Sequence, residues 1–251
     1  MIAVMTYLKW LFYPILALFI TQPTFAAPIW TTSFGSQGTG DGQFDNPTGI
    51  TTLPTGEIYV VDGNRNDVQI FNPDTTFSSK FGSPGNGNGE FNLPISIFRS
   101  PSTGLLYISD NFNHRVQIFN PDGTYSAQFG SFGDGDGQFM DHYGITMDTV
   151  NNKFFVSDVG NNNNPRVQIF NDDGTYFSQF GGFGTANGEF YSPMSLTFGN
   201  SQLYVADYFL NNIQTFDENA NFLNKFDVSS IPSVYLSRPR DLAVDNAHDM
   251  Y

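Results

Sequence analysis

The chain has 251 residues, with Lys+Arg 10 against Asp+Glu 24 and a formal net charge of −14. No Cys is present, which excludes a disulfide scaffold, a Cys-ligated zinc site and a Cys nucleophile. An acidic surface repels phosphate and argues against DNA or RNA as a main partner. A chain of this length suits one large all-β domain or two small ones.

Residues 1–26 read as a targeting segment. Lys9 is their only charge, an apolar run follows from Trp10 to Ile20, and small residues stand at Thr24 and Ala26. This is the layout of a secretory signal peptide cut after Ala26. The alternative is an uncleaved anchor, but the run is short for a bilayer span and carries Pro14. The expectation is a secreted, periplasmic or extracellular protein with no stable membrane insertion after cleavage.

From residue 29 onward one unit recurs. Its first landmark is Tyr59-Val60-Val61-Asp62, repeated up to Asp110, Asp158 and Asp207 at spacings of 48, 48 and 49 residues. The second is Val68-Gln69-Ile70-Phe71, with copies ending at Phe119, Phe170 and Phe216. The third is Phe34-Gly35, repeated at Phe81, Phe129 and Phe180. The fourth is Gly-Gln/Glu-Phe, at Phe44, Phe91, Phe139 and Phe190. Four landmarks in one order at one period identify a repeat architecture.

Each unit contains four short runs rich in Val, Ile, Tyr and Phe, separated by turn chemistry such as Asn120-Pro121-Asp122-Gly123. Four strands per unit predict an all-β propeller of four-stranded antiparallel blades. Complete blades are expected at about 48–82, 95–130, 144–181 and 194–227. A lone outer strand is expected at 29–35, and a blade cut short at 240–251.

The runs Asp110-Asn111-Phe112-Asn113-His114-Arg115-Val116-Gln117-Ile118-Phe119 and Gly137-Gln138-Phe139 resemble the NHL repeat. The resemblance implies a six-bladed propeller. Six blades of this period need more chain than follows, so the sequence reads as a fragment ending at Tyr251. Members of the family bind proteins, RNA or ligands, and some relatives are enzymes, so the fold does not settle the function.

Two structural ion pairs are expected, Asp110 with Arg115 and Asp158 with Arg166, tying the loop between the second and third strands of a blade. In the first unit Asp67 occupies the Arg position, and Arg65 is expected to serve Asp62 instead. The Gly-rich stretches 38–42 and 133–137 resemble calcium loops in their alternating Asp and Gly. Their siblings carry Asn or Thr, and no bidentate Glu follows, so turn chemistry is the better reading. No metal and no cofactor are expected.

Three His occur. His142 stands where the other units carry Pro47, Pro94, Pro193 and Pro239, leading into the innermost strand at the mouth of the central channel. A residue that breaks a repeat there is a candidate ligand-binding group; a neutral substitution in a loop is the plainer reading. Thr48, Ile95, Tyr143, Met194 and Arg240 should ring the same mouth. Asp41, Asp45, Asp134, Asp136 and Asp141 should gather on that face and suit a cationic protein or peptide. The leading expectation is a non-catalytic binding module. The alternative is an extracytoplasmic lyase or lactonase with its site at the mouth near His142. The insert Asn161-Asn162-Asn163-Asn164 enlarges one loop.

Overall fold

The computed structural model describes residues 33–160, 164–228 and 238–244. The expected signal peptide, most of the strand at 29–35, Asn161–Asn163 of the Asn-rich insert and the end of the last repeat lie outside the described residues.

The described chain is all-β apart from 3-10 geometry at Asn111–Asn113 and at Val228. The first blade is built of β1 (Pro47–Thr52), β2 (Ile58–Asp62), β3 (Asp67–Phe71) and β4 (Phe77–Phe81). The second has β5 (Pro94–Arg99), β6 (Leu106–Asp110), β7 (Arg115–Phe119) and β8 (Tyr125–Phe129). The third has β9 (His142–Asp148), β10 (Lys153–Asp158), β11 (Arg166–Asn171) and β12 (Tyr176–Gly181). The fourth has β13 (Pro193–Gly199), β14 (Gln202–Asp207), β15 (Asn212–Asp217) and β16 (Phe222–Asp227). Each blade is a four-stranded antiparallel sheet with its strands in sequence order. The first strands β1, β5, β9 and β13 neighbour one another and line a central channel, the arrangement of a β-propeller. Residues 33–35 form no strand, yet Phe34 packs on Phe71 at 4.9 Å, as Phe81 packs on Phe119 at 5.0 Å.

The core lies between blades, because alternate residues of a strand face opposite sides. Tyr59 and Val61 of β2 face Leu106 and Ile108 of β6 in one apolar cluster. Tyr107, one residue along, turns the other way and joins Phe154 and Val156 of β10. Each junction also holds three Phe rings, one from each of the second, third and fourth landmarks. Phe119, Phe81 and Phe91 form one such set, with Phe119 5.5 Å from Phe91. Phe170, Phe129 and Phe139 form the next. Leu242 and Val244 pack against the outer flank of blade four, on Tyr204, Ala206 and Ile213.

The repeated Asp and Gln have a role that only the fold reveals. They fasten the Gly-rich loop that enters each blade. Asp62 accepts the backbone N–H of Asp45 at 2.7 Å and of Asn46 at 3.0 Å. Asp158 does the same for Met140 and Asp141, and Asp207 for Tyr191 and Ser192. The buried Gln69 amide accepts from Gly42 N and donates to Gln43 O, and Gln117, Gln168 and Gln214 repeat the clamp in their own blades. Buried polar groups of the loop are thereby satisfied without a sheet partner.

Candidate binding face at the channel mouth

The chain enters every first strand from a Gly-rich loop and leaves every second strand into the β2–β3 type loop. Both sets of loops therefore share one face, and the channel opens there.

A bulge recurs at the start of each first strand. Pairing jumps from Pro47 to Gly49, from Pro94 to Ile97, and from Pro193 to Ser195; in the third blade it jumps past Tyr143. The first residues left out of the ladder are Thr48, Ile95, Tyr143 and Met194, with Ser96 and Gly144 also skipped in the second and third blades. A bulge re-aims the side chain it carries. These four, with Arg240 and Asp241, border a cavity of about 440 Å³ that continues down the channel. Ring positions expected from the repeat are thus brought together around one opening.

His142 is not among them. It is fully buried between blades, stacked on Phe139 at 4.5 Å, with Nε2 2.9 Å from the Arg115 carbonyl oxygen. It takes the position of the buried Pro94 and Pro193, and the bulge begins one residue later. Its Nδ1 has no protein partner among the described residues. Burial pushes its pKa down to about 3 despite the bond to Arg115, so the imidazole is neutral in the fold. The unfolded chain takes up that proton near the ordinary histidine pKa of about 6.5. Stability should therefore fall as pH drops from about 6.5 toward 3, then level off with respect to this group. In His142→Pro this slope should vanish. Urea midpoints followed from about pH 7 to 4.5 read it, and an unchanged slope would refute the assignment.

The mouth carries both signs of charge. Tyr143 OH donates to Asp141 Oδ2 at 3.2 Å, and burial together with that carboxylate pushes the phenol pKa up to about 12. The second oxygen of Asp141 accepts from Asn111 Nδ2 at 2.9 Å. Asp241 Oδ1 accepts from Ser195 Oγ at 3.0 Å. Arg240 and Arg238 lie over the Tyr208 ring at 5.2 and 5.5 Å, and the Arg240 hydrogen bond draws the Tyr208 pKa down.

The expected ion pairs sit one layer outward. Arg115 Nε lies 2.8 Å from Asp110 Oδ2, and Arg166 Nη2 lies 3.1 Å from Asp158 Oδ2, all four side chains being nearly inaccessible. Each guanidinium also caps loop carbonyls, Gly87 and Glu90 in one case and Gly135 and Gln138 in the other. The first blade differs from the expectation. Arg65 pairs with Asp67 at 3.1 Å rather than with Asp62, which receives only the Arg65 backbone N–H. The guanidinium nevertheless reaches the equivalent carbonyls of Gly40 and Gln43. An Arg two residues earlier fills the same hole, and the Asp at the usual Arg position turns to meet it.

The Gly-rich loops close on their own side chains. Gln43, Glu90, Gln138 and Glu189 each accept the backbone N–H three residues before them. Among the described residues no group of three His, Asp or Glu is placed to hold a metal ion.

Sequence reasoning missed a set of exposed aromatics. Phe112, Phe132, Phe183, Tyr191 and Phe209 are 40–64% exposed and all lie on loops of the mouth face. Phe132 packs edge-on to His114 at 4.8 Å, Phe183 tilts onto Tyr191 at 4.3 Å, and Phe209 meets Tyr208 at 4.9 Å. Phe112 and Phe209 share one repeat position, two residues after the landmark Asp, a signal the sequence does carry.

The NHL repeat family model matches residues 44–71, which run from the loop Phe44 through the whole of β3. Protein lin-41 of Caenorhabditis elegans is 45% identical over 53 residues, which make up 21% of this chain and 4% of that protein. The chain carries an NHL repeat on a β-propeller fold. Among solved structures, virginiamycin B lyase from Staphylococcus aureus gives a TM-score of 0.59 at 19% identity, covering 82% of this chain and 62% of that one. A catalytically inactive form of that lyase with quinupristin gives the same values. A streptogramin B lyase gives 0.59 at 16% identity, over 82% of this chain and 61% of that one. At such identities the likeness is one of fold. This NHL propeller spans less than two thirds of the lyase chains it matches.

Proposed function

We propose that this NHL propeller is a non-catalytic binding module that works outside the cytoplasm, and that its partner is a cationic protein or peptide held on the mouth face. The observation that carries the reading is the coincidence of exposed aromatics and exposed acids on that one face. Asp41, Asp45, Asp134 and Asp136 are exposed on loops of this face, and so are the rings of Phe112, Phe132, Phe183 and Phe209. Carboxylates attract Lys and Arg over several ångströms, and aromatic faces hold the same cations at contact range. Aromatic rings left in water on a polar loop face mark an interaction surface. Nucleic acid does not suit this face, since Arg65, Arg115 and Arg166 are buried in ion pairs below the loops.

The test is a titration with a fluorescent Lys/Arg-rich peptide at increasing salt. Affinity should fall steeply with ionic strength, and the double variant Asp134→Asn/Asp136→Asn should weaken binding by roughly three- to tenfold, a few tenths to about 1 kcal/mol per charge. Salt-independent binding, or binding untouched by the double variant, would count against the reading.

A second reading, a lyase, draws on the likeness to the two lyases and on the Tyr143–Asp141 pair facing the cavity. Turnover of virginiamycin B by the purified chain, lost in Tyr143→Phe, would replace the binding reading with this one.

A further inference from the structure

The cavity at the channel mouth is lined by one cation, Arg240, and one acid, Asp241, among neutral side chains, whereas the surrounding face is rich in exposed acids. Asp241 borders it, Asp141 reaches its edge through Tyr143, and both carboxylates are hydrogen-bonded. Asp241 Oδ1 accepts from Ser195 Oγ at 3.0 Å and from its neighbour Leu242 N at 2.8 Å. Asp141 accepts from Tyr143 and Asn111. Thr48 Oγ1 donates to the Pro94 carbonyl at 3.0 Å and offers nothing further to a ligand's oxygen. The Arg240 guanidinium also borders the cavity, is exposed, and has no carboxylate partner among the described residues. It is held from behind by the Tyr208 ring, with Arg238 on the same ring. A hydrogen bond to the Tyr208 side chain anchors the guanidinium on one edge, and its remaining N–H groups can form a fork for a planar oxyanion. The rest of the opening is apolar, from Leu93, Ile95 and Met194.

We propose that the mouth is a receptor site for a monocarboxylate bearing an apolar side group, its carboxylate on the Arg240 fork and its apolar group against Leu93, Ile95 and Met194. A dianion is disfavoured because Asp141 and Asp241 stand on the same rim and the chain as a whole carries −14. Such a ligand is either a free small carboxylate or the C-terminus of a peptide, and both present the same groups. The inference goes beyond the polycation reading and stands whether or not that reading holds.

The test uses the full chain with labelled methionine methyls, following the Met194 signal. N-acetyl-leucine should shift it saturably, and N-acetyl-leucinamide, which lacks only the charge, should bind about tenfold more weakly, as expected for one charge-assisted bond. Arg240→Gln should erase the difference between acid and amide, while Arg240→Lys should keep part of it. Arg240 is exposed, so both variants should retain the thermal midpoint of the parent. A peptide ending in a free leucine should compete with N-acetyl-leucine if the site takes chain ends; if it does not compete, the free small carboxylate is the ligand. Equal binding of acid and amide in the parent, discrimination that survives in Arg240→Gln, or no movement of the Met194 signal by either probe would overturn the proposal. The salt-dependent binding of a basic peptide is read separately, so either result can fail without the other.

Discussion

Replacing Arg166 with Ala should destabilise the fold by about 3–5 kcal/mol, the cost of breaking a buried pair and leaving its partner charged. The reason is the number of groups that depend on this one side chain. Its guanidinium meets Asp158 through Nε at 3.2 Å and Nη2 at 3.1 Å. It also donates to the carbonyls of Asp134, Gly135 and Gln138 and to the Gln179 side chain. Removing it takes the counter-charge from a fully buried carboxylate, leaves the Asp134 carbonyl without its donor, and takes one of two donors from the Gly135 and Gln138 carbonyls. Arg166→Lys should recover only part of the loss, because an ammonium cannot reach a fork of acceptors spread over one loop and two strands. The same truncation at Lys80, whose pair with Asp41 is exposed at 41% and 57%, should change stability by less than about 1 kcal/mol. Urea denaturation at constant m-value measures all three. A loss at Arg166 no larger than that at Lys80 would mean that the pair does not hold the loop.

The blades were legible because each landmark answers one packing need. Tyr-Val-Val-Asp alternates to feed two inter-blade clusters and ends on a loop cap; Val-Gln-Ile-Phe does the same and adds an amide clamp. The ring of Thr48, Ile95, Tyr143, Met194 and Arg240 was legible for a related reason: equivalent residues of a repeat arrayed about one axis meet at that axis. The orientation of His142 was not legible. A bulge begins directly after it, and a bulge decides which of two adjacent residues faces the channel; the sequence shows only that Pro is replaced. The Arg65–Asp67 pair was missed because a guanidinium on a long stem can fill the same hole from a different position, and the one-to-one alignment of repeats hides this. The exposed rings were hidden by abundance. With 27 Phe in the chain, most of them needed at blade junctions, the few on loops do not stand out by composition.

The junctions also explain why the Phe-Gly landmark keeps its glycine, and this yields the second large effect. Gly130 has φ +95, and a Cβ there would lie 2.5 Å from Cε2 of Phe139, a fully buried ring. Gly130→Ala therefore faces both backbone strain, about 1–3 kcal/mol, and overpacking of similar size. Gly89 separates the two. Its φ is +81, but nothing lies within 4 Å of its would-be Cβ, so Gly89→Ala should show the strain alone. Phe139→Ala should cost about 3–5 kcal/mol through the cavity left among Phe129, Phe170 and His142. Coupling is the sharper test. Shrinking the ring in Phe139→Leu makes room for the new methyl, so Gly130→Ala should cost at least about 1 kcal/mol less in that background than in the parent. The His114 carbonyl oxygen, 3.1 Å from the same Cβ position, should keep the rescue incomplete. If the two changes add without coupling, the glycine is required by its backbone angle alone and the ring does not press upon it.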